Sequence, residues 1–269
     1  MTPAPPDLLE AIVASTRHDL QIRRAARPYD ALEQVAWQSA APRGAAFEAA
    51  LRHTGGINVI AECKRRSPSR GVLRADYDPV AQAQAYARGG AVAISVLTEP
   101  SFFDGALEHL TRVRAAVDVP LLRKDFVIDP YQLLESRVAG ADAVLLIVSA
   151  LDDERLQRLL AQAVALRLAA LVEVHDEAEL DRALAAGATL VGVNNRNLRS
   201  LAVDLEVSSR VAARLPRGVT AVSESGVRTP ADIERLRALG YSAFLIGERL
   251  MVSADAESDL RALCAGITR

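Results

Sequence analysis

Short apolar runs rich in Val, Ile, Leu and Ala recur along the chain, bounded by turn-forming residues. They begin every 20 to 34 residues and occupy residues 57–63, 91–97, 120–126, 142–148, 169–174, 189–193, 219–223 and 242–246. Between them lie segments with apolar residues at helical spacing and a charged outer face, as at 152–166, 176–186 and 230–239. The pattern predicts eight strands that alternate with helices.

Strands that alternate with helices need long crossovers, which join parallel neighbours in one sheet. Eight such units predict an α/β fold, the closed (β/α)8 TIM barrel. An open doubly wound sheet is the alternative. The closed barrel is favoured because no GxGxxG follows the first strand, and Gly55-Gly56 precedes that strand instead of leaving it.

The first 55 residues do not follow this alternation. A helix start at residues 5–7 and an interrupted apolar stripe predict one helix, which Pro28 ends. Shorter helices are predicted around residues 32–37 and 47–51. We therefore predict a single domain over residues 1–269, with a helical extension at 1–55 and the barrel at 56–269. The extension either closes the N-terminal face of the barrel or covers part of the functional site.

Composition narrows the classes of function. A chain of 269 residues with 50% hydrophobic content can bury one large core, and it has no room for a second catalytic domain. The net charge of -2 and the 4% aromatic content argue against a nucleic-acid surface. The two cysteines make a disulfide framework implausible, and no long apolar stretch or leader-like start occurs. We expect a cytoplasmic protein without membrane or nucleic-acid partners, either a monomer or a weak homodimer.

Polar or ionisable residues stand at the ends of several predicted strands, where a parallel β/α barrel carries its active site. They are Glu62, Lys64, Lys124, Glu173, Asn194, Glu224 and Ser225. Alternation places Glu62 and Lys64 on one strand face, and the same count turns Lys124, Glu173, Asn194 and Glu224 towards the barrel interior. Taken singly, each charge could belong to an ordinary ion pair. Together, two lysines and three glutamates in one barrel mouth indicate general acid and base chemistry.

Glycines follow the last two predicted strands. Ser225-Gly226 comes after the seventh strand, and Gly247 comes after the eighth and before a short predicted helix. Loops at these positions form a phosphate site in many barrels, because exposed backbone N–H groups and the helix dipole attract an anion. The alternative is that the glycines only make tight turns. A phosphorylated small molecule is the ligand we predict, with Lys64 adding charge.

Six ordered segments resemble indole-3-glycerol phosphate synthase. They are VIAECKRRSPSRG at 59–71, LLRKDFVID at 121–129, LVEVHDEAEL at 171–180, GVNNRNL at 192–198, SESGV at 223–227 and LIGERLM at 245–251. The resemblance covers the whole barrel and the helical extension. It implies a carboxy-lyase of tryptophan biosynthesis that converts 1-(2-carboxyphenylamino)-1-deoxyribulose 5-phosphate to indole-3-glycerol phosphate, with loss of CO2 and water and without a cofactor or metal.

The resemblance also implies roles for individual residues. Lys124 would be the general acid for ring closure and Glu173 the general base, with Glu62 and Lys64 assisting dehydration and placement, although the lysine acting at each step stays open. Asn194, Glu224 and Ser225 complete the predicted catalytic set. The predicted substrate-binding residues are Ser67, Phe103, Phe126, Arg196, Gly226, Gly247 and Glu248. The phenylalanines would line the anthranilate ring, whereas Ser67 and the glycines would serve the phosphate.

Some positions depart from the family pattern, namely Cys63, Ala106 and Arg249. Arg249 either reinforces the phosphate site or faces solvent. His175 follows the fifth predicted strand and is assigned to a loop or a helix start, with a contact to the site as the alternative. Two other functions stay open: a different phosphate-binding barrel enzyme, such as a ketose isomerase of the same pathway, and a non-catalytic barrel that binds a phosphorylated ligand.

Overall fold

The computed structural model describes residues 7–53 and 55–265 and contains a closed barrel of eight parallel strands. The strands, labelled β1 to β8, are Asn58–Cys63, Ala93–Leu97, Leu121–Lys124, Ala143–Ile147, Ala169–Val174, Leu190–Asn194, Thr220–Glu224 and Ala243–Ile246. Each strand pairs with its neighbour along the chain, and β1 closes the ring by pairing with β8. The predicted TIM barrel is confirmed, and the open doubly wound sheet is excluded.

Helices precede the barrel and connect its strands. The helices α1 to α13 are Leu8–Ala26, Tyr29–Gln38, Gly44–Leu51, Pro79–Arg88, Pro100–Phe103, Leu107–Ala116, Pro130–Val138, Asp153–Ala165, Glu177–Ala185, Glu206–Ala212, Pro230–Ala238, Glu248–Met251 and Ala256–Ala265. A 3-10 helix, Val148–Ala150, follows β4, and a two-stranded hairpin of Arg66–Ser67 and Gly71–Val72 follows β1. None of the helices in the described ranges is long and apolar enough to cross a membrane.

The alternation along each strand sorts side chains as predicted. Ile60 of β1 packs in the cluster that fills the barrel, while Val59 and Cys63 pack in the larger cluster between strands and outer helices. The third strand is shorter than the predicted 120–126. It ends at Lys124 because the Asp125 carboxylate turns back to accept from the Phe126 N–H at 2.8 Å and from Thr98 Oγ1 at 2.6 Å.

The third helix closes the N-terminal end of the barrel. Phe47 and Leu51 are fully buried in the interior cluster. Asn58, the first residue of β1, donates to the carbonyl oxygens of Leu51 and His53 at 3.0 Å each. At Gly44 an added Cβ would lie 2.5 Å from the backbone nitrogen of Ala169, so only glycine lets the helix approach the sheet this closely. The barrel is therefore capped at this end.

The first helix runs to the opposite end. Tyr131 of α7 donates to the carbonyl oxygen of Arg27 at 2.9 Å and fixes the C-terminal part of α1. The N-terminal part of α1 lies over the barrel mouth, where Ile12 packs in the interior cluster. The predicted start at residues 5–7 is described only from Asp7, which caps the helix by accepting from the Leu9 N–H at 3.2 Å. The extension thus occupies both positions considered from the sequence.

Candidate active site

A cavity of about 390 Å³ opens at the carboxyl ends of the strands. All residues predicted for the site lie on its wall, although they come from distant parts of the chain. They are Glu62, Lys64, Ser67, Phe103, Lys124, Phe126, Glu173, Asn194, Arg196, Glu224, Ser225, Gly226, Gly247 and Glu248. Since the strands are parallel and closed into a ring, their ends converge on this one space.

Lys124 lies at the centre of an acid and base cluster. Its Nζ is 2.9 Å from Glu173 Oε2 and 3.5 Å from Glu224 Oε2. Asn194 Nδ2 donates to Glu173 Oε1 at 3.1 Å and fixes the second oxygen of that carboxylate. Glu224 Oε1 is buried and has no hydrogen-bond partner among the described residues. The cluster therefore keeps one carboxyl oxygen of Glu224 free for a ligand.

The cluster separates the pKa values of its members. Burial alone would lower the pKa of Lys124, but the carboxylates of Glu173, Glu224 and Glu62 outweigh it and hold the pKa above its ordinary value. Burial opposes ionisation of Glu173, yet Lys124 and His175 hold its pKa below the usual range. Burial raises the pKa of Glu224, and the nearby Glu173 and Glu62 carboxylates add to this rise against the effect of Lys124. One carboxylate is held charged and its neighbour favours the protonated form.

Glu62 and Lys64 form a second pair across the mouth. Their side chains make a direct ion pair and are largely buried. Gly247 leaves the space that the Glu62 carboxylate occupies, because a Cβ at that position would overlap Glu62 Oε1. Glycine is therefore needed at position 247 to make room for the side chain of Glu62, a predicted catalytic residue.

The loops after β7 and β8 form the remaining polar wall. Ser225 and Gly226 have φ of 64° and 85°, so two successive residues adopt the left-handed region there. Gly247 caps the short helix Glu248–Met251, whose first N–H groups have no acceptor within the helix. Glu248 Oε1 is 2.9 Å from Arg70 Nε, and its Oε2 is 3.4 Å from Arg196 Nη2. The acid therefore holds two guanidinium groups at the cavity edge.

The apolar wall combines predicted and unpredicted residues. The rings of Phe103 and Phe126 have centroids 6.3 Å apart with an interplanar angle of 35°. Leu8, Leu9 and Ile12 of α1 line the same cavity. Their apolar stripe is visible in the sequence, but a stripe alone does not show which surface the helix covers.

His175 and Arg249 were not assigned to the site from the sequence. His175 Nε2 lies 3.3 Å from Glu173 Oε1, so the histidine contacts a candidate base from behind the cavity wall. Strand alternation groups it with Leu171 and Glu173, and this signal could have found it. Arg249 lines the cavity and donates to the carbonyl oxygen of Arg228.

Within residues 7–53 and 55–265, no group of three or more His, Cys, Asp or Glu side chains is placed to hold a metal ion. Cys63 is fully buried on the outer face of β1, and burial raises the pKa of its thiol. This thiol is therefore unreactive at neutral pH.

Comparisons with known proteins identify the family of the chain. A model of the indole-3-glycerol phosphate synthase family matches residues 9–263. The indole-3-glycerol phosphate synthase of Azospirillum brasilense is 47% identical over 262 residues, which is 96% of this chain and 99% of the relative. That of Mycolicibacterium smegmatis is 50% identical over 251 residues, covering 93% of this chain and 91% of the relative. A thiamine phosphate pyrophosphorylase from Pyrococcus furiosus superposes with a TM-score of 0.58 at 17% identity, over 77% of this chain and 93% of the other, and shows the fold alone.

Proposed function

The chain belongs to the indole-3-glycerol phosphate synthase family of tryptophan biosynthesis, whose members are decarboxylating lyases, and we propose how its barrel mouth performs that reaction. The substrate we propose is 1-(2-carboxyphenylamino)-1-deoxyribulose 5-phosphate. One observation carries the proposal: the Lys124 ammonium lies within 2.9 Å of Glu173 and 3.5 Å of Glu224 inside one cavity. A proton donor and two carboxyl groups of different proton affinity thus face the same ligand.

Lys124 acts in ring closure. The ring carbon that bears the carboxylate forms a bond to the ketone carbon, and the carbonyl electron pair moves onto oxygen. Lys124 Nζ stabilises this charge and delivers a proton to it, as a placed general acid does. The carbon–carboxylate bond then breaks, its electrons restore the aromatic ring, and CO2 leaves.

Dehydration needs an acid and a base. The hydroxyl formed in ring closure leaves as water, and a proton is lost from the adjacent methylene carbon, which is bonded to nitrogen in the new five-membered ring, to give the double bond of indole. Glu173, held ionised by its cationic neighbours, accepts that proton. The Glu62–Lys64 pair assists departure of the hydroxyl from across the mouth. Glu224 and Asn194 orient the hydroxyls and the amine of the substrate.

The polar and apolar walls orient the substrate. The phosphate lies in the loops of Ser225, Gly226 and Gly247, with Lys64 and Ser67 as further donors. Arg196 binds the substrate carboxylate, while Glu248 positions Arg196 and Arg70 instead of contacting an anion itself. Phe103 and Phe126 pack on the anthranilate ring and exclude water, which strengthens the electrostatic interactions in the cavity.

Incubation of the purified chain with the carboxyphenylamino ketose phosphate tests this proposal. We expect indole fluorescence to appear together with stoichiometric CO2. In parallel, the aminoaldose isomer of the substrate tests the isomerase alternative, because an isomerase would consume that compound and leave the ketose intact. Binding of the ketose without product would instead support a non-catalytic barrel. Either result would exclude the proposed chemistry.

A further inference from the structure

A row of alternating charges runs from the outer helix α9 into the barrel mouth. Glu179 of α9 accepts from the backbone N–H of His175 at 2.8 Å, and its Oε2 lies 3.0 Å from His175 Nδ1. On the other side of the ring, His175 Nε2 lies 3.3 Å from Glu173 Oε1. Lys124 Nζ then contacts Glu173 Oε2 at 2.9 Å. The histidine ring is thus held between two carboxylates.

The two carboxylates determine the charge of the ring. A neutral imidazole can donate from only one nitrogen, so it would present a lone pair to either Glu173 or Glu179. The imidazolium carries an N–H on both sides: Nδ1 is hydrogen-bonded to Glu179, and Nε2 lies 3.3 Å from Glu173 Oε1 as an ion pair, without the alignment of a hydrogen bond. Burial opposes this charge, but Glu173 and Glu179 outweigh burial and raise the pKa of His175 to about 10.

The two glutamates are the charged groups in contact with the His175 ring among the described residues. The charged groups that face it are Glu173 from its own strand and Glu179 from α9, with Lys124 on the far side of Glu173. The neighbouring strands β4 and β6 place Ile147 and Gly192 beside Glu173 in register, and neither residue titrates. The side chain of His175 is 14% exposed, so solvent screens the pair only weakly.

We propose that His175 is a positioning residue for this reaction: held by Glu179, its imidazolium keeps the Glu173 carboxylate ionised and fixed in orientation. This inference rests on the proposed role of Glu173 as the general base. In this role His175 is a second cation beside Glu173, and unlike Lys124 it takes no part in proton transfer. When Lys124 has given its proton to the substrate it is neutral, and His175 is then the remaining cation beside the base.

The pH dependence distinguishes this role from simple packing. Glu173 must be deprotonated to act as a base, and a nearby cation lowers the pKa of a carboxylate. Removing that cation raises the pKa, so activity is lost at a higher pH as the solution is acidified. Lys124 still acts on Glu173, so we expect the acid limb to move upward by about one pH unit, the low end of the effect of a neighbouring charge.

His175→Asn is the decisive variant because asparagine keeps a donor without the charge. We expect kcat to fall about 10-fold, KM to change less than about two-fold, and the acid limb of kcat to move to higher pH, as for loss of an interaction that serves the chemical step. Glu179→Gln should shift the limb in the same direction by less. The double variant should be no slower than His175→Asn, because both act through Glu173.

The matched control is Glu177→Gln in the same helix, since Glu177 contacts only Arg210, at 3.7 Å, among the ion pairs of the described residues. Its kinetics should equal those of the wild type. NMR titration of the four histidines identifies His175 by its absence in His175→Asn, and its ring should stay protonated at pH 8.

The outcomes separate this inference from the proposed function. A wild type that does not turn over the ketose phosphate would exclude both. A wild type that turns over, with an unshifted pH profile in His175→Asn, would overturn the positioning role alone, even if the variant melts at a lower temperature. A neutral His175 ring at pH 8 in the wild type would overturn it as well.

Discussion

Buried carboxylates at the two ends of the barrel differ in how fully their oxygens are hydrogen-bonded. At the N-terminal end, the buried Asp142 carboxylate accepts from the Arg43 backbone N–H at 2.9 Å, from Arg114 Nη1 at 3.0 Å and from the Leu121 N–H at 3.0 Å. At the mouth, Glu224 Oε1 has no partner within the described part of the chain. A buried polar group without a partner costs roughly 1–3 kcal/mol, and because Glu224 faces the cavity, a ligand bound there can supply the missing hydrogen bond.

The apolar side chains at the two ends follow the same division. Phe47 and Leu51 fill the N-terminal end completely. At the mouth, Ile12 and Phe126 surround a cavity of about 390 Å³ that they do not fill. All four residues pack in the cluster that fills the barrel. Phe47 and Leu51 come from α3 of the N-terminal extension, and Ile12 comes from its α1. The extension therefore stabilises one end and shapes the other.

Removal of an aromatic ring gives the largest contrast between the ends. We expect Phe47→Ala to lower the free energy of unfolding by about 3–5 kcal/mol, because a fully buried ring leaves a cavity. The folded fraction should keep its KM and kcat. Phe103→Ala at the mouth should lose less stability, since that ring is partly exposed, and should raise KM. Urea unfolding and steady-state kinetics measure both. A large KM change in Phe47→Ala would show that the ends are not independent.

Loss of a charged group should affect catalysis only at the mouth. We expect Lys124→Met to lower kcat by about 100-fold or more, which corresponds to about 2.7 kcal/mol in the barrier, with a modest change in KM. Arg114→Met is the matched control, because it removes a partner of the buried Asp142 at the opposite end. That variant should lose stability and retain kcat. Near-normal turnover of Lys124→Met would remove Lys124 from the general-acid role.

Two glycines with the same backbone conformation test the phosphate loops. Gly226 has φ of 85° at the mouth, and Gly240 has φ of 99° at the N-terminal side of β8. Alanine at either position should cost about 1–2 kcal/mol of stability through left-handed strain. At Gly226 the added Cβ would also lie 2.7 Å from Val203 Cγ1, whereas at Gly240 it would meet no atom within 4 Å. Only Gly226→Ala should also raise KM, by about 10-fold or roughly 1.4 kcal/mol of binding. Equal KM values in the two variants would place the phosphate elsewhere.

The strands and their polar ends could be predicted because both depend on a local period. Two-residue alternation already directed Glu62 and Lys64 inward, and the closed ring brought Lys124 and Glu173 together. The end of β3 was predicted too late, because the Asp125 carboxylate bonds the next backbone N–H and stops the ladder, and no apolar pattern encodes this contact.

Contacts between distant segments could not be predicted from such periods. The course of α1 depends on Tyr131, more than a hundred residues away in sequence, which binds Arg27 and directs the helix over the mouth. Strand alternation groups His175 with Glu173, but the contact of His175 with Glu179 depends on helix α9 returning to the end of β5. The residues on the strand ends were therefore predictable, whereas helix α1 over the mouth and the contact of Glu179 with His175 were not.

The smallest expected effect concerns how α1 is held over the mouth. Arg199 Nε lies 2.7 Å from Asp7 Oδ2, but the Arg199 side chain is 82% exposed. Exposed pairs contribute up to about 1 kcal/mol, so Arg199→Ala should change the unfolding free energy and KM as little as Arg214→Ala, which breaks the exposed pair with Asp181. The buried Ile12 then accounts for the position of the helix. If Arg199→Ala alone raised KM about 10-fold, a surface ion pair would hold α1 over the mouth, and substrate binding would weaken as the salt concentration rises.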